Sequence, residues 1–346
     1  MKPVAPPDPD AYALARERLD GLAKPRRSLG RLEDLAAWWS ACQGQCPPSA
    51  LERVRVVVPA GDHGVVASGV SAYPAEITGA MVRTIAAGLA GVSVIARQHD
   101  ASVRVLDISV SADLTDLDEA ITSHKLGRGS GAIDIEDAMT VEQAEQALAT
   151  GARIVGEEIE AGAQLLIVGD LGIGNTTPAA ALIASSLGVE ADAVTGRGTG
   201  LDDEGLARKT AVVQAALDRA RREDKVRDPI KRLAALGAPD LAVAVGMLVE
   251  AARRRLPVLL DGVINVAEAV IAEAIAPGSR AWWQAGHRSP EPAQAIALEH
   301  LGLTPLIDLG MRLGEGSGAV TALPLLRSAI AVINEMALLA DLLPPE

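Results

Sequence analysis

The chain contains no phenylalanine, and aromatic residues make up only 2% of its 346 residues, whereas hydrophobic residues make up 49%. Its core must therefore be built from Ala, Val, Leu and Ile. Side chains this small reach native packing density when helices lie closely on a sheet. The length fits one large α/β unit with a small helical appendage.

Positive charge is also scarce: the chain has 32 Lys and Arg residues but 45 Asp and Glu residues, which gives a net charge of -13. Such a surface repels nucleic acid and acidic membranes, whose binding requires clustered Lys and Arg. An anionic small molecule stays possible as a substrate, since a local pocket can oppose the overall field.

Long apolar runs, a secretory leader and soft metal ligands are missing as well. The longest apolar run, 241–249, is far shorter than the ~18 residues of a membrane span, and residues 1–12 lack the basic start and apolar stretch of a secretory signal. Cys42 and Cys46 have no further soft ligands near them in the sequence. We therefore expect a cytoplasmic protein with two free thiols and no metal.

From residue 53 onward, short β-branched runs alternate with Gly-rich polar loops and helical patterns. This order predicts a mainly parallel sheet with helices on both faces, in which the loops leave the carboxyl ends of the strands together and ligands bind there. A helix is expected over 28–39, with Ser28 as its N-cap. The predicted strands are 53–59, 102–108, 164–168, 257–260, 281–284 and 305–308.

The loop at 169–180, GDLGIGNTTPAA, is the most informative local feature. Its glycines let backbone N–H groups approach a ligand, Thr176 or Thr177 can cap the next helix, and Pro178 suits an early helical position. A helix N-terminus of this kind binds phosphate or carboxylate. Glycines alone would also fit a tight turn, but Asn175 followed by two threonines favours ligand contact.

A second Gly-rich loop lies at 195–203, TGRGTGLDD, with Arg197 inside it and Lys209 just beyond. Loops of this type are common as plain turns. Two such loops in one chain, however, favour a phosphorylated ligand.

The third run, LGMRLGEGSGA at 309–319, places Glu315 among four glycines with Arg312 nearby. A glutamate in a loop is usually a solvated surface group. If Glu315 lies at the end of a strand and is shielded from water, its pKa rises. Its carboxylate is then suited to remove a proton near neutral pH.

Other functions fit the sequence less well. Ser289, His63 and Asp62 would supply a hydrolase triad, but the Gly-x-Ser-x-Gly elbow of this sheet type is absent. A dinucleotide-dependent oxidoreductase would need GxGxxG after the first strand. A binding module without catalysis would not need Glu315 beside Arg312.

Together these runs resemble the nicotinate-nucleotide–dimethylbenzimidazole phosphoribosyltransferase (CobT) family. The resemblance implies a homodimer, no metal or organic cofactor, and a Rossmann-like α/β phosphoribosyltransferase domain at 49–324. It also implies a small helical domain formed by 1–48 and 325–346. The matching runs are 24–36, 60–82, 169–182, 196–209, 261–271, 286–292 and 309–319.

The implied reaction moves the phosphoribosyl group of nicotinate mononucleotide to 5,6-dimethylbenzimidazole. It gives nicotinate and α-ribazole 5'-phosphate for the lower ligand of cobalamin. The resemblance makes Glu315 the base and places Asp170 in the active site. The substrate contacts that it implies are Ser71, Glu76, Gly172, Gly174, Asn175, Thr176, Gly200, Lys209, Ser289 and Arg312.

The chain departs from the family pattern near the expected base pocket. Asp170 and Leu171 replace the usual Glu and Met, Gly286 replaces a Ser, and Gln294 replaces a later His. These changes leave the acceptor open among a benzimidazole, a purine such as adenine, and a phenol.

Overall fold

The structure, a computed structural model, describes residues 3–342. Short 3-10 helices lie at Gly64–Ser68, Ser279–Trp282 and Leu339–Leu342. The strands are β1 (Val54–Gly61), β2 (Ala101–Ser109), β3 (Leu165–Val168), β4 (Val258–Leu260) and β5 (Trp283–Ala285). The α-helices in this range are α1 (Pro9–Asp20), α2 (Arg31–Gln43), α3 (Ile77–Ala86), α4 (Gly91–Gln98), α5 (Glu119–Thr122), α6 (Val141–Glu160), α7 (Thr176–Leu187), α8 (Ala191–Val194), α9 (Asp203–Arg222), α10 (Pro229–Leu236), α11 (Pro239–Arg253), α12 (Val263–Ile275), α13 (Pro292–Leu301) and α14 (Ser317–Glu335).

The five strands form one parallel sheet in the order β2-β1-β3-β4-β5. Every residue of β3 and β4 is buried, as expected for central strands with helices on both faces. The predicted α/β fold is therefore confirmed.

The strand predicted at 305–308 is not formed. Ile307 makes a single parallel bridge to His287, with Ile307 N donating to Gly286 O at 3.1 Å. Beyond Asp308 the chain turns at Gly310, whose φ is +65°, so pairing stops after this bridge.

The core without phenylalanine is filled by close backbone contact between α6 and α11. A Cβ added to Gly151 would lie 2.1 Å from Val243 O, and one added to Gly246 would lie 2.2 Å from Leu148 O. Only glycine lets the two helices approach this closely, which agrees with the small side chains of the composition.

The two chain ends lie together, because α1 and α2 pack against each other and against α14. Arg18 Nε donates to Ile333 O at 2.7 Å, and Leu22 forms a bridge with Leu338. The division into domains at 1–48, 49–324 and 325–346 stays a prediction, and its outermost residues, 1–2 and 343–346, lie outside the described residues.

The first predicted helix begins later than expected. Its N-cap is Gly30 rather than Ser28, and α2 starts at Arg31. Glu33 Oε1 accepts the Leu29 N–H at 3.1 Å, so a long side chain inside the helix takes over part of the capping.

Two helical stretches, Ile77–Gln98 and Ser317–Glu335, are long and apolar enough to cross a membrane by length and composition alone. The second is α14, whose apolar face packs in the core. The first comprises α3 and α4, and only 39% of its most apolar 18-residue window is buried, so it leaves apolar surface open.

Candidate active site

A cavity of about 640 Å³ lies at the carboxyl ends of the strands, where ligands bind in sheets of this type. The loops after β1, β3, β4 and β5 line it, together with the run before α14. Nine of the predicted site residues come together here: Ser71, Asp170, Gly172, Gly174, Asn175, Thr176, Ser289, Arg312 and Glu315.

Glu315 lies in the cavity wall with only 3% of its surface exposed. Its φ is +65°, between Gly314 at +81° and Gly316 at +91°, and such strain in a non-glycine residue is typical of functional sites. Its Oε2 accepts the Val92 N–H at 3.2 Å. Burial raises the pKa of Glu315, and the charge of Asp261 raises it further.

Asp261 fixes the segment that carries Glu315. This fully buried residue follows β4 and accepts hydrogen bonds from Gly316 N at 3.1 Å and Ala319 N at 2.8 Å. A carboxylate at the N-terminus of α14 is favoured by the helix dipole. Asp261 was not among the predicted site residues, although its position at the end of a strand was a usable signal.

Asp170 lies in the cavity floor, where Asn175 Nδ2 donates to its Oδ2 at 3.0 Å. Burial raises the pKa of Asp170 well above its usual range, and the nearby charges of Asp261 and Glu315 raise it further. Burial likewise raises the pKa of Glu268 behind the floor. The floor is thus a cluster of carboxyl groups that favours protons or cationic ligands.

The N-terminus of α7 forms another part of the wall. Its N-cap is Asn175, without a capping side-chain hydrogen bond, so the expected threonine cap is absent from this helix start. Instead the hydroxyl of Thr176, which lines the cavity, accepts a hydrogen bond from Lys209 Nζ at 2.7 Å.

Three predicted residues lie outside the cavity wall. Glu76 is exposed at the start of α3, Lys209 is fully buried behind Thr176, and Gly200 does not line the cavity. Arg197 also fails to add charge to the cavity, because it donates to Leu201 O and pairs with Asp203 in its own loop.

Glu291 lines the cavity, although it was not among the predicted site residues. It is 8% exposed, and its Oε1 accepts the Gly198 N–H at 2.8 Å. Arg312 Nη1 donates to the carbonyl of the same glycine at 3.0 Å. The loops that carry Glu291 and Arg312 are therefore both hydrogen-bonded to the loop that carries Gly198.

The geometry does not support the hydrolase alternative. His63 is buried behind the wall with Nε2 3.3 Å from Asp240 Oδ2, and it packs against Gly172. Ser289 lies in the cavity, and its N–H donates to Gln294 Oε1 at 2.6 Å.

Comparison with known proteins gives a consistent result. A family model described as phosphoribosyltransferase matches residues 4–341. The nicotinate-nucleotide–dimethylbenzimidazole phosphoribosyltransferase of Mycolicibacterium paratuberculosis is 55% identical over 338 residues, covering 98% of this chain and 96% of that protein. The protein of the same name from Mycobacterium tuberculosis is 53% identical over 335 residues, covering 97% and 92%.

The fold also matches a solved structure closely. The crystal structure of CobT from Thermus thermophilus superposes with a TM-score of 0.90 at 42% identity. The match covers 96% of this chain and 98% of that one.

Proposed function

Because this chain belongs to the nicotinate-nucleotide–dimethylbenzimidazole phosphoribosyltransferase family, we propose that it transfers the phosphoribosyl group of nicotinate mononucleotide to 5,6-dimethylbenzimidazole or a related base. The products are nicotinate and α-ribazole 5'-phosphate, the nucleotide of the cobalamin lower ligand. One observation carries the proposal: the buried carboxylate of Glu315 shares a single cavity with the N-terminus of α7.

Glu315 acts as the base. It takes the proton of the benzimidazole while the other ring nitrogen forms a bond to the anomeric carbon, and the bond from that carbon to nicotinate breaks. The positive pyridine ring leaves as neutral-ring nicotinate, so the enzyme's main tasks are to align the reactants and to accept the proton. A positioned base contributes ~10²-fold or more.

The charge distribution of the cavity suits this reaction. The carboxyl groups of Asp170 in the floor and Asp261 behind it favour the cationic pyridine ring and the positive charge that develops on the ribose. The phosphate lies toward the N-terminus of α7, where backbone N–H groups and the helix dipole favour an anion.

The acceptor base lies against the apolar part of the wall. Tyr73, Ile77, Met81 and Leu313 line the same cavity as Glu315, and Ser71 lies at its edge. A flat heterocycle fits between such side chains, and a ring N–H then faces Glu315.

The proposed enzyme is a homodimer in the cytoplasm. Leu89 and Val94, on the α3–α4 hairpin, are 72% and 44% exposed, and Leu313 packs beside Gly91 on the same side with 56% exposed. Neighbouring exposed apolar side chains of this kind typify protein interfaces. Both cysteines are free thiols, as is usual in reducing compartments.

The test is to incubate the purified chain with nicotinate mononucleotide and 5,6-dimethylbenzimidazole, and to follow nicotinate by chromatography and the product by mass. Formation of α-ribazole 5'-phosphate supports the proposal. Parallel reactions with adenine and with phenol rank the acceptors. Absence of nicotinate release with all three acceptors would contradict the proposal.

A further inference from the structure

Lys209 lies behind the cavity wall, although the family resemblance implies that it contacts substrate. It is fully buried on α9. Its Nζ donates to Thr176 Oγ1 at 2.7 Å and to Gly196 O at 3.1 Å. Thr176 lines the cavity and Lys209 does not, so this hydroxyl stands between the lysine and the cavity.

The hydrogen bond from Lys209 determines what the Thr176 hydroxyl can do. A protonated lysine has donors and no acceptor, whereas a hydroxyl has one donor and two lone pairs. Thr176 Oγ1 must therefore accept from Lys209, and its own proton is left for another acceptor. Within residues 3–342 no protein atom accepts that proton, and Thr176 lines the cavity, so an anionic oxygen bound there would be a suitable acceptor.

Glu291 balances the buried charge of Lys209. Burial lowers the pKa of Lys209 to about 8, and the charge of Glu291 opposes that decrease. The carboxylate of Glu291 also accepts the Gly198 N–H and packs against Gly196. Glu291 thus stabilises the positive charge of Lys209 and also holds the backbone of the second Gly-rich loop.

Among the described residues, the other charged groups on the surrounding elements make no hydrogen bond to Lys209. Helix α7 carries no ionisable side chain. Arg208 donates to Gly69 O, Arg232 donates to Ser186 Oγ, and Asp192 on α8 is exposed. Further charged side chains near these elements are Glu190, Asp202, Asp203, Glu204, Lys231, Glu299 and Arg312.

We propose that Lys209 and Glu291 are positioning residues for the nucleotide: Lys209 holds the Thr176 hydroxyl as a donor toward the phosphate, and Glu291 supplies the counter-charge and secures the Gly198 backbone. Thr176 contacts the phosphate, and the two charged residues act through it and through the loop. This inference rests on the proposed function.

The first test is the pH dependence of kcat/KM for nicotinate mononucleotide at saturating 5,6-dimethylbenzimidazole. Because burial lowers the pKa of Lys209 to about 8, we expect the value for the unmodified enzyme to decrease above that pH, where Lys209 loses its proton. Glu291→Gln keeps an acceptor for Gly198 and removes the charge, so the decrease moves to lower pH. Lys209→Arg removes the decrease, because arginine stays protonated, whereas Thr176→Ser, which keeps the hydroxyl, leaves the pH of the decrease where it was, whatever its effect on the rate.

The second test is a double-mutant cycle with Lys209→Met and Thr176→Val. Each loss of a hydrogen bond to a charged group lowers kcat/KM by roughly 10- to 100-fold. If Lys209 acts through Thr176, the double variant loses little more than the more damaged single variant. If Lys209 contacts the phosphate itself, the two losses multiply.

The outcomes separate this inference from the proposed function. An unmodified enzyme that releases no nicotinate contradicts the function. If the unmodified enzyme is active but Glu291→Gln has the same alkaline limb, only the positioning roles are overturned. The same holds if the losses of Lys209→Met and Thr176→Val multiply. Thermal unfolding at pH 7 identifies a misfolded variant, and the near-isosteric Thr176→Val and Glu291→Gln carry the test if Lys209→Met does not fold.

Discussion

At the scale of single residues, the proposed chemistry uses carboxyl groups that are costly to bury. Glu315, Asp170 and Glu268 all have pKa values raised by burial. Such groups destabilise the fold when ionised, since each pKa unit corresponds to about 1.4 kcal/mol. Their retention beside the cavity favours a catalytic role for the cluster over a structural one.

Glu315→Gln should lower kcat by ~10²-fold or more and leave the Kd for nicotinate mononucleotide nearly unchanged. The amide has the size of the carboxyl group and cannot take the proton. Single-turnover nicotinate release measures the first quantity, and calorimetry measures the second.

The pH profile of the unmodified enzyme provides the matching control. Because the pKa of Glu315 is raised, the rate should decrease as pH falls through that raised value, where the carboxylate becomes protonated. The residual rate of Glu315→Gln should lack this acid limb. Unchanged turnover in the variant would exclude Glu315 as the base.

At the scale of the elements, two glycines set the distance between helices. Gly151 on α6 and Gly246 on α11 leave no room for a Cβ, because the partner backbone lies 2.1 to 2.2 Å from where it would be. The helix α11 also contacts the sheet, so a shift between α6 and α11 would reach the strands that support the cavity.

Gly151→Ala should therefore lower the free energy of unfolding by about 1–3 kcal/mol, the usual cost of overpacking. Gly156 in the same helix is a matched control, since a Cβ there meets nothing within 4 Å. Gly156→Ala should be stabilising by about 0.5–1 kcal/mol, as for glycine in a helix interior. Thermal and urea midpoints of both variants test this contrast, and equal midpoints would contradict the close-packing account.

At the scale of the whole molecule, a net charge of -13 surrounds a cavity whose wall combines Arg312 and the N-terminus of α7 with the carboxyl groups of Asp170, Glu291 and Glu315. The apolar surface of the α3–α4 hairpin lies beside the cavity, because Leu313 of the wall packs against Gly91. We therefore expect association through this hairpin to protect the cavity mouth.

Leu89→Glu should convert the proposed dimer to a monomer, because it places a charge in the apolar contact. Sedimentation velocity at micromolar concentration measures the change. Ile135→Glu, at a residue that is 74% exposed on another loop, should leave the dimer intact. A monomeric unmodified chain would refute the proposed assembly.

Local sequence patterns were sufficient to predict the parallel α/β fold, the glycine loops at the carboxyl ends of the strands and the presence of Glu315 among them. These features depend on properties of neighbouring residues, such as strand propensity, helix starts and the freedom of glycine. The family resemblance added the reaction, which the chain's relatives support.

Tertiary structure decided which side chains reach the cavity. It placed Lys209 behind Thr176, left Glu76 at the surface, and added Asp261 and Glu291. Glu291 meets Gly198 across 93 positions of sequence, and Asp261 meets Gly316 across 55. Burial and partners over such separations depend on how the elements pack, so no local pattern in one sequence determines them.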